Sequence, residues 1–216
     1  MSKTILVCGI DLGGKLQKTT GVCFLKIVNG SPQIDPQHCR NCIVVKGEDL
    51  ISYLEPYLKQ IKVIAIDAPL TLGPGKGKMR LWEKFFSTKP FRQYQVNPVP
   101  PAAIWRLSYH GMEVVSRIAS YGFFLNENLI ETFPTFAKVV LKDAEEISCK
   151  NQNERDAYVC AQIAAHHFMK KTFWLGYRDG KLFLPSFEFW KREWAKRFQK
   201  YWREKDRFRY KFLSIG

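Results

Sequence analysis

Apolar residues along this chain fall into short β-branched runs and longer stretches with helical spacing. The first run, Ile5 to Ile10, leads directly into Asp11 and the pair Gly13-Gly14. A buried strand that ends by presenting a carboxylate at a sheet rim has this form, and the glycines permit a tight turn and a close approach. A second run, Gly21 to Val28, stops at Asn29-Gly30, a strong hairpin signal, and Cys42 to Val45 closes a third strand. The connections are too short for crossover helices, so these three strands form an antiparallel meander. Glu48 to Ile61 places Leu50, Ile51, Leu54, Tyr57 and Leu58 at helical spacing, with Pro56 positioned to kink or restart the helix. Val63 to Asp67 is another apolar strand ending in an aspartate, and the helix before it implies a right-handed crossover and parallel pairing.

Residues 71–101 read as a long irregular insertion rich in glycine and proline, either a guide for a nucleic-acid backbone or a lid packed on the domain with a solvated basic face. Its basic residues, Lys76, Lys78, Arg80, Lys84, Lys89 and Arg92, alternate with Trp82, Phe85, Phe86, Phe91 and Tyr94. Helical spacing returns over Ala102 to Tyr121, followed by a strand at Leu129 to Phe133 that again carries a carboxylate, Glu131. A short helix is expected from Thr135 to Leu141 and a longer one from Arg155 to Phe168, whose alanines suit close packing on a sheet. Phe173 to Leu184 reads as a hairpin turning at Asp179-Gly180. The last segment sets Trp190, Trp194, Phe198, Tyr201 and Trp202 on one helical face. Such a stripe more often docks on the core or on a second copy of the chain than on a ligand.

The expected fold class is α/β: a mixed five-stranded sheet in the order 3-2-1-4-5, flanked by helices. Residues 1–186 form one domain, and 187–216 form a basic amphipathic helical extension. In that topology Asp11, Asp67 and Glu131 all emerge at the carboxyl ends of parallel strands, where open α/β sheets build their sites. Asp156 begins the closing helix, beside Glu154 and Arg155. One such acid alone is usually a strand end or a helix cap. Several together repel one another, and a hard divalent cation is the usual way to hold them; Mg²⁺ takes carboxylate oxygens and retains waters.

Composition bounds the function. The chain has 216 residues, 34 Lys and Arg against 20 Asp and Glu, and a net charge of +14. The ten basic and four acidic residues of Phe187 to Gly216 carry much of that excess. The balance points to a polyanionic partner, with nucleic acid first and a membrane surface second. No apolar segment reaches membrane-spanning length and the amino terminus has no signal-peptide layout, so a cytoplasmic protein is expected. Cys39 and Cys42, after His38, have the spacing of half a zinc knuckle, but no second pair follows, and structural thiols are favoured over zinc.

The segments Gly9-Ile10-Asp11-Leu12-Gly13-Gly14, Ile64 to Leu70, Glu131 to Pro134 and Glu154 to Ala157 together resemble the ordered motifs of an RNase H-like family. It is the predicted nuclease family labelled domain of unknown function 429, related in fold to the RuvC-type resolvases. The resemblance spans roughly Ile5 to Leu184; the long insertion and the basic tail depart from its pattern. It implies a phosphodiesterase dependent on Mg²⁺ or Mn²⁺, with Asp11, Asp67 and Asp156 as metal ligands and Glu131 either a ligand or a structural partner to the loops. Lys15, Lys76, Lys78, Arg80, Trp82, Arg92 and Arg155 are then the expected contacts for DNA or RNA, by phosphate pairing and base stacking. The competing functions are a nucleic-acid-binding module without turnover and, last, an actin-like phosphotransferase, which normally needs a second such domain. The aromatic stripe of the tail also allows a homodimer.

Overall fold

A computed structural model describes residues 5–34, 43–73, 78–142, 149–205, 210 and 212–216. The half zinc knuckle at His38 to Cys42 and the expected phosphate contact Lys76 lie outside the described residues. The chain is a mixed α/β structure built on strands β1 (Ile5–Asp11), β2 (Lys18–Val28), β3 (Ser31–Ile34), β4 (Ile43–Lys46), β5 (Ile61–Asp67) and β6 (Leu129–Glu131). β1 pairs antiparallel with β2 and parallel with β5, and β5 pairs parallel with β6. The order expected from the sequence therefore holds through the centre of the sheet and departs at one edge. There, the place of a single third strand is shared by β3, along Leu25 to Val28, and β4, along Lys18 to Val22, which makes six strands in place of five. The hairpin at Asn29-Gly30 accounts for the extra strand: both residues have positive φ, 51° and 78°, and return the chain immediately onto β2.

One face of the sheet is covered by α6 (Gln152–Phe168); α1 (Leu50–Leu58) packs on β2 through its tyrosines, with α4 (Trp105–Ala119) beside α1. Helix α1 runs through Pro56 to Leu58 and lays Tyr53 and Tyr57 against Phe24 of β2. Helix α6 sits unusually close to the sheet. A Cβ on Gly9 would fall 2.0 Å from the Ala161 nitrogen and 2.2 Å from the Ala157 oxygen. One on Gly21 would fall 2.2 Å from the Asn153 oxygen. Small residues on both surfaces, including Ala65, Ala157, Ala161 and Ala164, make this approach possible, and it fixes where the amino-terminal turns of α6 lie.

Over its described residues the insertion packs on the domain, as a lid would. It contains α2 (Leu81–Phe86) and α3 (Lys89–Arg92), and it buries Trp82, Phe85, Phe86 and Phe91. These rings meet Phe136 of α5 (Pro134–Val140) and Phe198 of the tail helix α7 (Arg192–Glu204) in one aromatic cluster, with Phe86 and Phe136 centroids 4.3 Å apart. Trp190, just before α7, is buried in the same cluster and donates its indole N–H to the Pro185 carbonyl at 2.8 Å. Insertion and tail thus pack on each other. The aromatic stripe of the tail, weighed as a dimer surface, is turned inward: Trp194 and Phe198 are buried and Tyr201 and Trp202 pack against the core. Strands β7 (Thr172–Tyr177) and β8 (Gly180–Pro185) form the expected hairpin, and β9 (Ser214–Ile215) adds to β7. Among the described residues no helix is long and apolar enough to cross a membrane.

Candidate active site

Asp11 and Asp67 are direct partners in the parallel register of β1 and β5, at the last residue of each strand. Adjacent strands lie about 4.8 Å apart, so the two carboxylates are neighbours on one face. Side chains alternate along a strand, and Gly9, two residues before Asp11, meets α6. The same alternation turns Asp11 and Asp67 toward that helix. Its amino-terminal turns bring Asp156 to them, starting from an N-cap at Asn151, whose side chain accepts the Glu154 N–H at 2.9 Å. The helix begins at Gln152, three residues earlier than the sequence suggests, which places Asp156 in its second turn.

The electrostatics follow from this convergence. Burial, then the charge of Asp156, pushes the Asp11 carboxyl up to about 7, with Lys138 pulling the other way. Burial, then the charges of Asp11, Asp156 and Glu131, holds the Asp67 carboxyl well above its ordinary range, again opposed by Lys138. Lys138, on α5, donates to Asp156 Oδ1 at 2.5 Å, and Gln152 donates to the other oxygen at 2.8 Å. Three carboxylates are therefore gathered around one ammonium group. Lys138 carries no motif in the sequence; its only signal is being the one charged residue between Pro134 and Leu141.

Glu131 lines the same cleft as Asp11 and Asp67 and its charge reaches Asp67, but its hydrogen bonds go elsewhere. In the pairing of β5 with β6 it stands opposite Ile66, one residue out of phase with Asp67, so it faces the other side of the sheet. There it accepts both Arg80 guanidinium nitrogens, Nη2 at 2.6 Å and Nη1 at 2.8 Å, and the Leu70 N–H at 2.9 Å. Arg80 also donates to Glu83, at 2.6 Å from Nη2. Burial pulls the Arg80 pKa down, but the charges and hydrogen bonds of Glu131 and Glu83 outweigh it and leave the guanidinium above its ordinary value. The adjacent Thr132, on the α6 side, contacts Cys160 at 3.3 Å. Of the two roles open to Glu131, the register favours the structural partner: it anchors the start of the insertion to the strand end.

That pairing corrects two expected nucleic-acid contacts. Arg80 and Trp82 are 2% and 3% exposed, so neither presents a surface to a polymer. They line the inner wall of a cleft of about 260 Å³ that also includes Asp11 and Asp67, with the Arg80 guanidinium 4.9 Å above the Trp82 ring. Lys15, Lys78, Arg92 and Arg155 are exposed, and Lys15 pairs with Glu113 of α4. Arg155 is the nearest of these in sequence to the carboxylates, next to Asp156.

As donors, three carboxylates from three separate elements suit a hard divalent cation. As placed, they are not a finished metal site: among the described residues no group of three or more His, Cys, Asp or Glu is arranged to hold a metal ion, and Asp156 is held by Lys138 and Gln152. Compared with protein-family models, with curated proteins and with solved structures, the chain matches none.

Proposed function

We propose that this chain is an RNase H-like nuclease that hydrolyses phosphodiester bonds of DNA or RNA with Mg²⁺ or Mn²⁺. The observation that carries this reading is the register of Asp11 with Asp67 beneath Asp156. It gathers acidic groups at strand ends, in a chain of net charge +14, where their mutual repulsion calls for a cation. Asp11, Asp67 and Asp156 would hold the ion, which when bound supplies Lewis-acid polarisation and a more acidic water. Lys138, bonded to Asp156 Oδ1, would keep an ammonium group beside the site as a positive charge for a phosphate or a departing oxygen. Glu131 and Arg80 fix the cleft wall. The β2-β1-β5-β6 order through the centre of the sheet supports the RNase H-like assignment, as do the four motifs in order.

One observation favours a second reading. The Lys138–Asp156 bond already compensates part of the cluster's charge, as it would in a protein of this fold that binds nucleic acid without turnover. Incubation with labelled single-stranded, duplex and four-way-junction substrates in Mg²⁺ or Mn²⁺ separates the two. The nuclease reading expects cleavage of at least one substrate and a loss of at least about a hundredfold in Asp11→Asn. Binding without cleavage of any of them would falsify it.

A further inference from the structure

The aromatics that the sequence offers for base stacking are largely buried, yet a different pair is exposed. Trp105 and Tyr109, one turn apart on α4, are 54% and 58% accessible, and their rings form an edge-on pair 6.2 Å between centroids. The Arg106 guanidinium lies 5.2 Å from the Trp105 centroid. These side chains, with Gly14, Lys15 and Leu16, line a groove of about 750 Å³, nearly three times the volume of the carboxylate cleft. Leu16 is 80% exposed. The groove also holds two acids, but both have basic partners: Glu113 pairs with Lys15 and Arg117, and Glu48 with Lys46.

The groove and the cleft adjoin. His110 of α4 bonds the Gly13 carbonyl through Nδ1 at 3.0 Å, which ties the aromatic helix to the loop that follows Asp11. Ile104, the N-cap of α4, and Leu107, in its first turn, line the carboxylate cleft. Between the two, a Cβ on Gly14 would meet nothing within 4 Å, so the surface over that residue is open. Gly13 is different: a Cβ there would strike Thr19, so its role is packing.

We propose that Trp105 and Tyr109 are a stacking platform for the bases of a single-stranded nucleic acid, whose backbone passes over Gly14 toward Asp11, Asp67 and Asp156. The proposal rests on the nuclease reading for the strand's destination. The choice of a single strand follows from the rings: bases of a duplex are stacked on each other and offer no free face, whereas splayed bases stack on exposed aromatics regardless of sequence. Arg106 adds a cation beside the stack, and the net charge of +14 draws in the backbone.

The test is fluorescence anisotropy of the full chain in EDTA, where binding needs no cleavage. The probes are labelled oligothymidylate, oligouridylate and an abasic oligodeoxynucleotide, each of about 16 nucleotides. The platform expects a base-bearing strand to bind at least about tenfold tighter than the abasic one. Trp105→Ala and Tyr109→Ala should each weaken the base-bearing complex on the order of tenfold and leave the abasic complex unchanged, while Trp105→Phe retains most of the affinity. The thymidylate and uridylate arms distinguish DNA from RNA. Equal binding by the double alanine variant, equal affinity for the abasic strand, or no binding to any strand overturns the platform. Stacking-dependent binding without cleavage in Mg²⁺ removes the nuclease reading alone; cleavage with unaltered binding in the double variant removes the platform alone.

Discussion

Asp11 shows how one side chain feels the whole arrangement. Its carboxyl faces Asp67 on β5, Asp156 on α6 and Lys138 on α5, and the balance of burial and like charge holds its pKa near 7. In the unfolded chain the same group ionises near 3.8. The folded state therefore binds a proton more tightly, and stability present below pH 4 is lost as pH rises through 7. In EDTA, Asp11→Asn should match the parent protein near pH 4 and exceed it near pH 8. The expected gain is on the order of 1–3 kcal/mol, less than the full shift implies because the group is partly solvated. Paired thermal melts across that range check it, and a variant less stable than the parent at pH 8 contradicts it. The identity of this residue was legible in the sequence, because an apolar run ending in an acid needs no tertiary information to be recognised. Lys138 was not: a single lysine on a short helix looks like any solvated surface residue until its neighbours are known.

At the scale of elements, two features decide what the site contains. One is the register of β6. A three-residue strand carries too little alternation to say which side faces which layer, so Glu131 could be expected at the strand end but not assigned a face. Pairing with Ile66 sent it to Arg80, and Thr132 took the position toward α6. The other is the contact of α6 with β1 and β2. Gly9 allows the helix backbone to lie where a side chain would be, and that contact carries Asp156 to Asp11. Gly9→Ala should cost about 3 kcal/mol or more in urea unfolding, because its neighbours are backbone atoms that cannot yield. Gly14→Ala, with open space around the new methyl group, should change stability by less than about 0.5 kcal/mol. The reverse order of the two effects would contradict this account of the helix contact. In the insertion, Trp82, Phe85 and Phe86 have the i, i+3, i+4 spacing of a buried helix face, a signal masked by the interleaved lysines and arginines.

At the scale of the molecule, the two parts of the chain that depart from the resembled family support each other. The aromatic face of α7 closes on α2, α3 and α5, while its other face carries Arg192, Lys196, Lys200 and Arg203 to the surface. These basic side chains of the tail thus lie on the outside of a shared core, while Asp11, Asp67 and Asp156 form a local acidic cluster at the strand ends. A polyanion attracted to such a surface would be repelled at the carboxylates unless a cation intervened. The central claim is therefore that Asp11, Asp67 and Asp156 bind a divalent ion in competition with protons. Calorimetric titration with Mn²⁺ at pH 6 and pH 8 tests it directly. The expected result is saturable binding that tightens at pH 8, as the Asp11 proton is lost, and that disappears in Asp67→Asn. Equal heats for the parent and Asp67→Asn, or no saturable binding at pH 8, would contradict it.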